Sequence, residues 1–185
     1  MKLAFLGPQG SGKTTMAKAT IEEANQFGEF DYIAHLSFAD ALRVEVMEIL
    51  KARKIFDAGS TPDMLRDPLY KLRYRPLLQA WGALRRELNI NYWRDIVLND
   101  IAQIDREWEH PLLVIDDCRY FNEYDGLKEA GFRFVRLGAN PDYPTINVTH
   151  ESERDWPQMP YHVYLNWVPT EDRINQLTQV KDWIE

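Results

Sequence analysis

Cysteine is almost missing from this chain: Cys118 is the single one in 185 residues. One thiol closes no internal disulfide and makes no C-x-x-C pair, so a reducing compartment is expected. Long apolar runs are missing too. None approaches the length of a membrane span, and no membrane partner is expected. The apolar N-terminal residues lead straight into a glycine loop, unlike a signal peptide. Basic excess is the third absence. Twenty-two Lys and Arg face 29 Asp and Glu, a net charge of −7. Non-specific nucleic-acid binding, which needs a basic footprint, is therefore not expected. A local basic pocket for one small anion is compatible with that balance. The chain also lacks internal repeats, low-complexity tracts and an obvious linker, and the Asn-Lys-x-Asp signature of GTP-reading switches. With 45% hydrophobic residues, it is expected to form one folded domain over 1–185 with a proper core.

The strongest positive signal is Gly7-Pro8-Gln9-Gly10-Ser11-Gly12-Lys13-Thr14-Thr15. The apolar run Lys2 to Leu6 precedes it, and a helical stretch from Met16 follows. Strand, glycine loop and helix is the context that turns G-x-x-x-x-G-K-[ST] into a phosphate-binding expectation. Glycines let backbone N–H groups turn inward around an anion, and the helix N-terminus adds donors and partial positive charge. Gly7, Gly10, Ser11, Gly12, Lys13, Thr14 and Thr15 are the candidate nucleotide-binding residues. Lys13 is expected at the terminal phosphates and the Thr14 hydroxyl at Mg²⁺.

Further along, Phe27-Gly28 ends the first helix, and Tyr32 to Phe38 reads as a second strand. Leu42, Val46, Ile49 and Leu50 share one face of the helix after it. Ligands of a doubly wound sheet sit outside the carboxyl ends of its strands, which places Asp40 and Arg43 to meet a second substrate. They could equally be an N-terminal helix acid and a surface base. A short charged helix is expected from Pro62. A separate one is expected beyond Arg73-Tyr74-Arg75-Pro76, with Leu77, Leu78, Trp81, Leu84 and Leu88 on its apolar face. Gly82 within it asks for a reason, such as close approach of a ligand or another helix. Arg75, Arg85 and Arg86 form either a solvated face or a phosphate clamp. Tyr92, Trp93, Ile96, Val97, Ile101 and Ile104 give another helix, in which Trp93 either packs or stacks on a base.

Leu112-Leu113-Val114-Ile115-Asp116-Asp117 is the second strong signal. Four apolar residues read as a central parallel strand, and an aspartate at its carboxyl end is placed to hold Mg²⁺. Arg119 is placed to balance phosphate charge, and Asn122 could cap the helix that follows. Phe132 to Gly138 alternates like a strand and carries Arg136. The stretch from about 139 to 160 reads as a lid-like loop containing His150-Glu151-Ser152-Glu153-Arg154. Tyr161 to Asn166 is a last strand. A final helix is expected after Thr170, which can cap it, bearing Ile174, Leu177, Val180 and Ile184.

Five blocks carry a family likeness: Gly7 to Thr15; Leu36 to Leu42; Leu78-Gln79-Ala80-Trp81-Gly82 with Arg86 and Trp93; Ile115 to Glu123; and His150 to Glu153. In these the chain resembles the bacteriophage-type deoxynucleoside monophosphate kinases of the P-loop kinase group. The blocks run in the family's order. Ala41 stands where the family often has proline, and Arg154 is the only arginine of a short lid-like stretch.

The resemblance implies a doubly wound α/β fold, with a mostly parallel five-stranded sheet, helices on both faces and a helical acceptor-binding region near 39–108. It implies transfer of phosphate from ATP, with Mg²⁺, to a deoxynucleoside 5′-monophosphate. Lys13, Asp117, Arg119 and Arg136 are its candidate catalytic residues, and Thr14, Asp116 and Asp117 its metal residues. Phe38, Asp40, Arg43, Arg75, Gln79, Arg86 and Trp93 are the candidates for holding the acceptor. Expected partners are small-molecule nucleotides and, as one option for assembly, a second copy in a homodimer. The expected location is cytoplasmic, in the host if the chain is phage-encoded. Two alternatives stay open: a kinase of another acceptor (dephospho-coenzyme A or a modified base in DNA), and a regulatory ATPase without acceptor chemistry.

Overall fold

A computed structural model describes residues 1–141 and 154–166. The expected His150–Glu153 block and the final helix from Thr170 lie outside the described residues. The chain divides into two compact units, one formed by 1–36 and 98–185, the other by 37–97.

The first unit is built on five parallel strands: β1 (Lys2–Leu6), β2 (Tyr32–Leu36), β3 (Pro111–Ile115), β4 (Arg133–Leu137) and β5 (Val163–Leu165), in the order β2-β3-β1-β4-β5. The central β1 pairs with β3 through Leu3 opposite Val114, and with β4 through Ala4 opposite Phe134. Every residue of β3 is buried, as a strand covered on both faces must be. The helices α1 (Lys13–Phe27) and α5 (Phe121–Glu129), the later part of α4 (Tyr92–Glu107) and a 3₁₀ turn (Trp156–Gln158) complete the unit's described part.

Met16, Ala17 and Ala24 of α1 pack into a core with Phe5, Leu112, Val114, Val135 and Leu165. The helix stops where the sequence places its end. Gly28 takes a left-handed φ of 65° and donates its N–H to Ala24 O, the conformation glycine adopts without a Cβ penalty. The chain leaves β1 toward β2 and leaves β4 toward β5, on opposite sides. Connections that diverge in this way open the crevice where such sheets bind ligands. This is a doubly wound α/β P-loop fold.

The second unit is helical. It holds α2 (Phe38–Ala52), a 3₁₀ turn (Pro62–Arg66), α3 (Pro68–Leu88) and the start of α4 (Tyr92–Glu107). Val46, Met47, Leu50 and Leu65 are its buried centre, with Leu42, Tyr74, Leu77, Leu78 and Trp81 packed around them. The structure differs from the sequence expectation at Pro76. The helix expected from Pro62 is a single 3₁₀ turn, and α3 runs unbroken through Pro76 for 21 residues. Proline there removes one bond to the carbonyl four residues back. That residue is Leu72, 76% exposed, so water can take the bond's place.

Candidate phosphate-binding site

The loop between β1 and α1 has the shape its residues dictate. Gly7, Gly10 and Gly12 have φ of 148°, 81° and 88°, values that side-chain-bearing residues avoid. Gly7 is required for space as well: a Cβ there would lie 2.8 Å from both Leu137 O and Ser11 Oγ. Gly12 precedes the first turn of α1, and Met16 N donates to its carbonyl at 2.9 Å.

Lys13 is buried at 8% exposure and arches over the loop, donating from Nζ to the carbonyls of Gly7 and Pro8 at 2.7 Å each. Ser11 Oγ is buried with no hydrogen-bond partner among the described residues. A buried hydroxyl without a partner costs roughly 1–3 kcal/mol. On a glycine loop before a helix N-terminus, it suits an anion's oxygen. Thr14 and Thr15 are exposed at the start of α1.

Asp116 closes the site from the carboxyl end of β3. It is 8% exposed and accepts from His35 Nε2 at 2.9 Å and from the Thr14 hydroxyl. Burial pushes its carboxyl up. The hydrogen bonds from His35 and Thr14 and the charges of His35 and Lys13 outweigh burial and hold it below its ordinary value. A hydroxyl that donates its proton to Asp116 keeps its lone pairs for a cation. Among the described residues no group of three or more His, Cys, Asp or Glu forms a metal cluster. That donor set fits Mg²⁺, which is usually held by one or two protein oxygens together with phosphates and water.

Asp117 and Arg119 are half-buried just beyond Asp116. The turn that carries them is fixed by Glu123, 3% exposed, whose Oε2 accepts the backbone N–H of Arg119 at 2.9 Å and of Tyr120 at 3.2 Å. Glu123, not Asn122, is therefore the side chain that caps α5. Its negative charge also suits the positive end of the helix. Cys118 is fully buried among acids. Burial, then the charges of Glu123, Asp117 and Asp125, push its thiol far up, so it is no nucleophile at neutral pH.

Arg136 stands differently from its expected catalytic place. Its Nη2 donates to the carbonyls of Trp156, Pro157 and Met159 at 3.3, 3.0 and 2.6 Å. Its guanidinium lies 4.3 Å from the Tyr161 ring centre. It fastens the 156–161 segment to β4.

In the second unit, Asp40 accepts from both Arg43 and Arg66, so the expected Asp40–Arg43 pair is joined by a partner from the 3₁₀ turn. Arg75 and Gln79 are exposed on α3 and Arg86 is half-buried. Phe38 and Trp93 are 5% and 3% exposed. Trp93 donates from Nε1 to Gly82 O at 3.2 Å and packs rather than offering a face to a base. Arg85 belongs to a network that the sequence did not reveal. Glu45 accepts from Trp81 Nε1 at 2.7 Å, Arg85 Nε at 3.0 Å and the Tyr92 hydroxyl. The Arg85 guanidinium stacks over the Trp81 and Tyr92 rings.

Three residues escaped sequence reasoning. His35 left one weak trace, a polar residue inside the otherwise apolar run of β2. Glu45 and Arg66 left none, because ordinary surface charges at helical spacing look the same.

The loop on the central strand and the aspartate at the tip of the next strand define the chain as a P-loop α/β protein. No protein-family model matches it. Over 164 residues it is 28% identical to a protein of Acanthamoeba polyphaga mimivirus described as "Putative deoxynucleotide monophosphate kinase", covering 82% of this chain and 79% of that one. Over 87 residues it is 36% identical to an uncharacterised protein, ORF77, of Ictalurid herpesvirus 1, covering 45% of this chain and 37% of that one. Among solved structures, shikimate kinase from Aquifex aeolicus aligns with a TM-score of 0.47 at 13% identity, over 98% of this chain and 96% of that one.

Proposed function

We propose that the chain is a P-loop phosphotransferase that moves the terminal phosphoryl group of ATP to a deoxynucleoside 5′-monophosphate. The observation that carries this reading is the convergence of Lys13, Thr14 and Asp116 on one glycine cradle, with the buried Ser11 hydroxyl left for a ligand oxygen. The acceptor class rests on the described function of the mimivirus relative and on the five motif blocks.

Phosphoryl transfer asks a protein mainly for positioning and for positive charge around the moving group. Lys13 and the loop N–H groups hold and neutralise the donor phosphates. Thr14 and Asp116 are the residues that would hold Mg²⁺, which supplies charge compensation on the phosphate oxygens. Asp117 is an alternative ligand, and Arg119 supplies a further cation. In the helical unit, Asp40 with Arg43 and Arg66, and Arg75, Gln79 and Arg86, are the residues assigned to the acceptor. Phe38 and Trp93 support that unit from its interior, and Arg136 holds the 156–161 segment to β4.

The test is ADP release with Mg·ATP against a panel of deoxy- and ribonucleoside monophosphates, with the diphosphate product identified by chromatography. Release stimulated by one or more deoxynucleotides is expected. Lys13→Met keeps the apolar stem and is expected to abolish transfer while circular dichroism stays native. Acceptor-independent hydrolysis, or a silent panel from protein that binds ATP, overturns the acceptor assignment.

A further inference from the structure

The role of His35 goes beyond that reading and rests on its phosphate-site half. β2 lies beside β3 with His35 opposite Val114 and Leu36 opposite Ile115. Asp116 follows Ile115, two residues beyond Val114, and side chains two apart on a strand share a face. The register therefore sets the imidazole one pleat below the carboxylate on the same side, and Nε2 reaches Oδ1 at 2.9 Å. Against a carboxylate that nitrogen donates. The side chains are 22% and 9% exposed, so water competes little for the bond.

Asp116 has three claimants. His35 donates to Oδ1, Thr14 donates its hydroxyl, and the Lys13 charge acts on the carboxylate as well. Only Lys13 and Thr14 have other expected duties, at the phosphates and at the cation. His35 sits on β2, outside the glycine loop. Its bond keeps the carboxylate turned toward the loop when Lys13 and Thr14 engage a nucleotide. We infer that His35 is a positioning residue of the phosphate site, orienting Asp116 so that Mg²⁺ strengthens nucleotide binding. Partners of this kind, one step removed from a metal, typically contribute 10–100-fold in affinity or activity.

The experiment is isothermal titration of the full chain with ADP, once with Mg²⁺ and once with EDTA, for wild type, His35→Ala, His35→Phe and His35→Gln. Thermal midpoints are read in parallel. The expected result is a Mg²⁺-dependent gain in ADP affinity that falls by about 10–100-fold in His35→Ala and His35→Phe, with affinity in EDTA unchanged. Glutamine, whose amide N–H₂ can still donate to a carboxylate, is expected to restore most of the gain. Equal losses with and without Mg²⁺ make His35 merely structural and overturn the inference. So do variants that keep the full gain, a glutamine variant no better than phenylalanine, or a wild type without any gain. No acceptor is present in these titrations. A silent acceptor panel therefore refutes the proposed transfer reaction without touching His35, and a failure here leaves the transfer reaction standing.

Discussion

Gly82→Ala separates two explanations of a glycine in mid-helix. Gly82 is buried within the 21 residues of α3. Its φ is not positive and its carbonyl accepts from Trp93 Nε1 at 3.2 Å, a bond that alanine keeps. An added methyl would meet Leu42 Cδ2 at 3.4 Å and Arg86 Nη1 at 3.5 Å, ordinary van der Waals contact. The helix gains about 1 kcal/mol from alanine's better propensity. The buried methyl adds up to about 0.8 kcal/mol. Together they predict a stabilisation of about 1–2 kcal/mol, which for a chain of this size raises the thermal midpoint by roughly 2–7 °C. Differential scanning calorimetry and urea titration measure it. A lowered midpoint would refute the reasoning, since it would mean that Leu42 or Arg86 cannot share the space. Kinetics on the same variant give the second half. Raised stability with a raised acceptor KM identifies a glycine kept for ligand approach, whereas raised stability with unchanged kinetics identifies one that nothing requires.

Gly7→Ala is expected to do the opposite. A glycine-only backbone costs a side chain about 1–3 kcal/mol and the clash with Leu137 O and Ser11 Oγ a further 1–3 or so, so urea unfolding is expected to show a large loss and ATP binding to vanish; a stable variant that binds normally contradicts the loop geometry. Arg136→Ala is expected to lose about 1.5–3 kcal/mol, the range for a charged donor's bond, while ATP affinity in the cold stays native; loss of turnover without loss of stability would return Arg136 to catalysis. Glu45 gives a pH signature. Burial raises its carboxyl, the bonds from Tyr92, Trp81 and Arg85 outweigh burial, and the folded pKa lies below 4.5. The contribution is therefore full above pH 4.5 and is lost as the pH falls through the folded value. The stability gap between wild type and Glu45→Gln, about 1–3 kcal/mol at pH 7, is expected to shrink in that acid window, and a gap constant from pH 7 to 3 refutes the assignment.

The parts of this structure that were legible in the sequence are those fixed by local rules. The strand-loop-helix start, the buried run of β3 ending in Asp116 and the glycine end of α1 each follow from a residue's own conformational range or from simple periodicity. Pro76 shows where such rules stop. Proline is a strong local signal for a helix boundary, yet α3 passes through it at a point where Leu72 is exposed, and exposure is a property of the assembled unit. Periodicity likewise put Trp81 and Trp93 on apolar faces correctly. It could not say that the indole of one would donate to Glu45 and that of the other to Gly82.

Arginine is the residue on which sequence reasoning was weakest, and the cause is physical. A guanidinium carries five donors on a long stem and finds any acceptor within reach. Arginines in an acidic chain that binds a phosphate therefore look alike until their partners are known. The structure gives Arg85 to Glu45 and Arg136 to three backbone carbonyls. Those two guanidiniums already hold acceptors, although Arg136 Nε is buried with no partner among the described residues, and drawing either onto a phosphate would break bonds that are in place. Asp40 is the different case. Asp40 accepts from both Arg43 and Arg66, and Arg66 also pairs with Asp63 at 3.1 Å, so two carboxylates balance two cations that are held in place with guanidinium donors to spare. Pre-ordered guanidinium donors are what an anionic acceptor would find most useful. That is why Arg66, which the sequence did not single out, joins Arg43 in the acceptor assignment while Arg136 leaves the catalytic one.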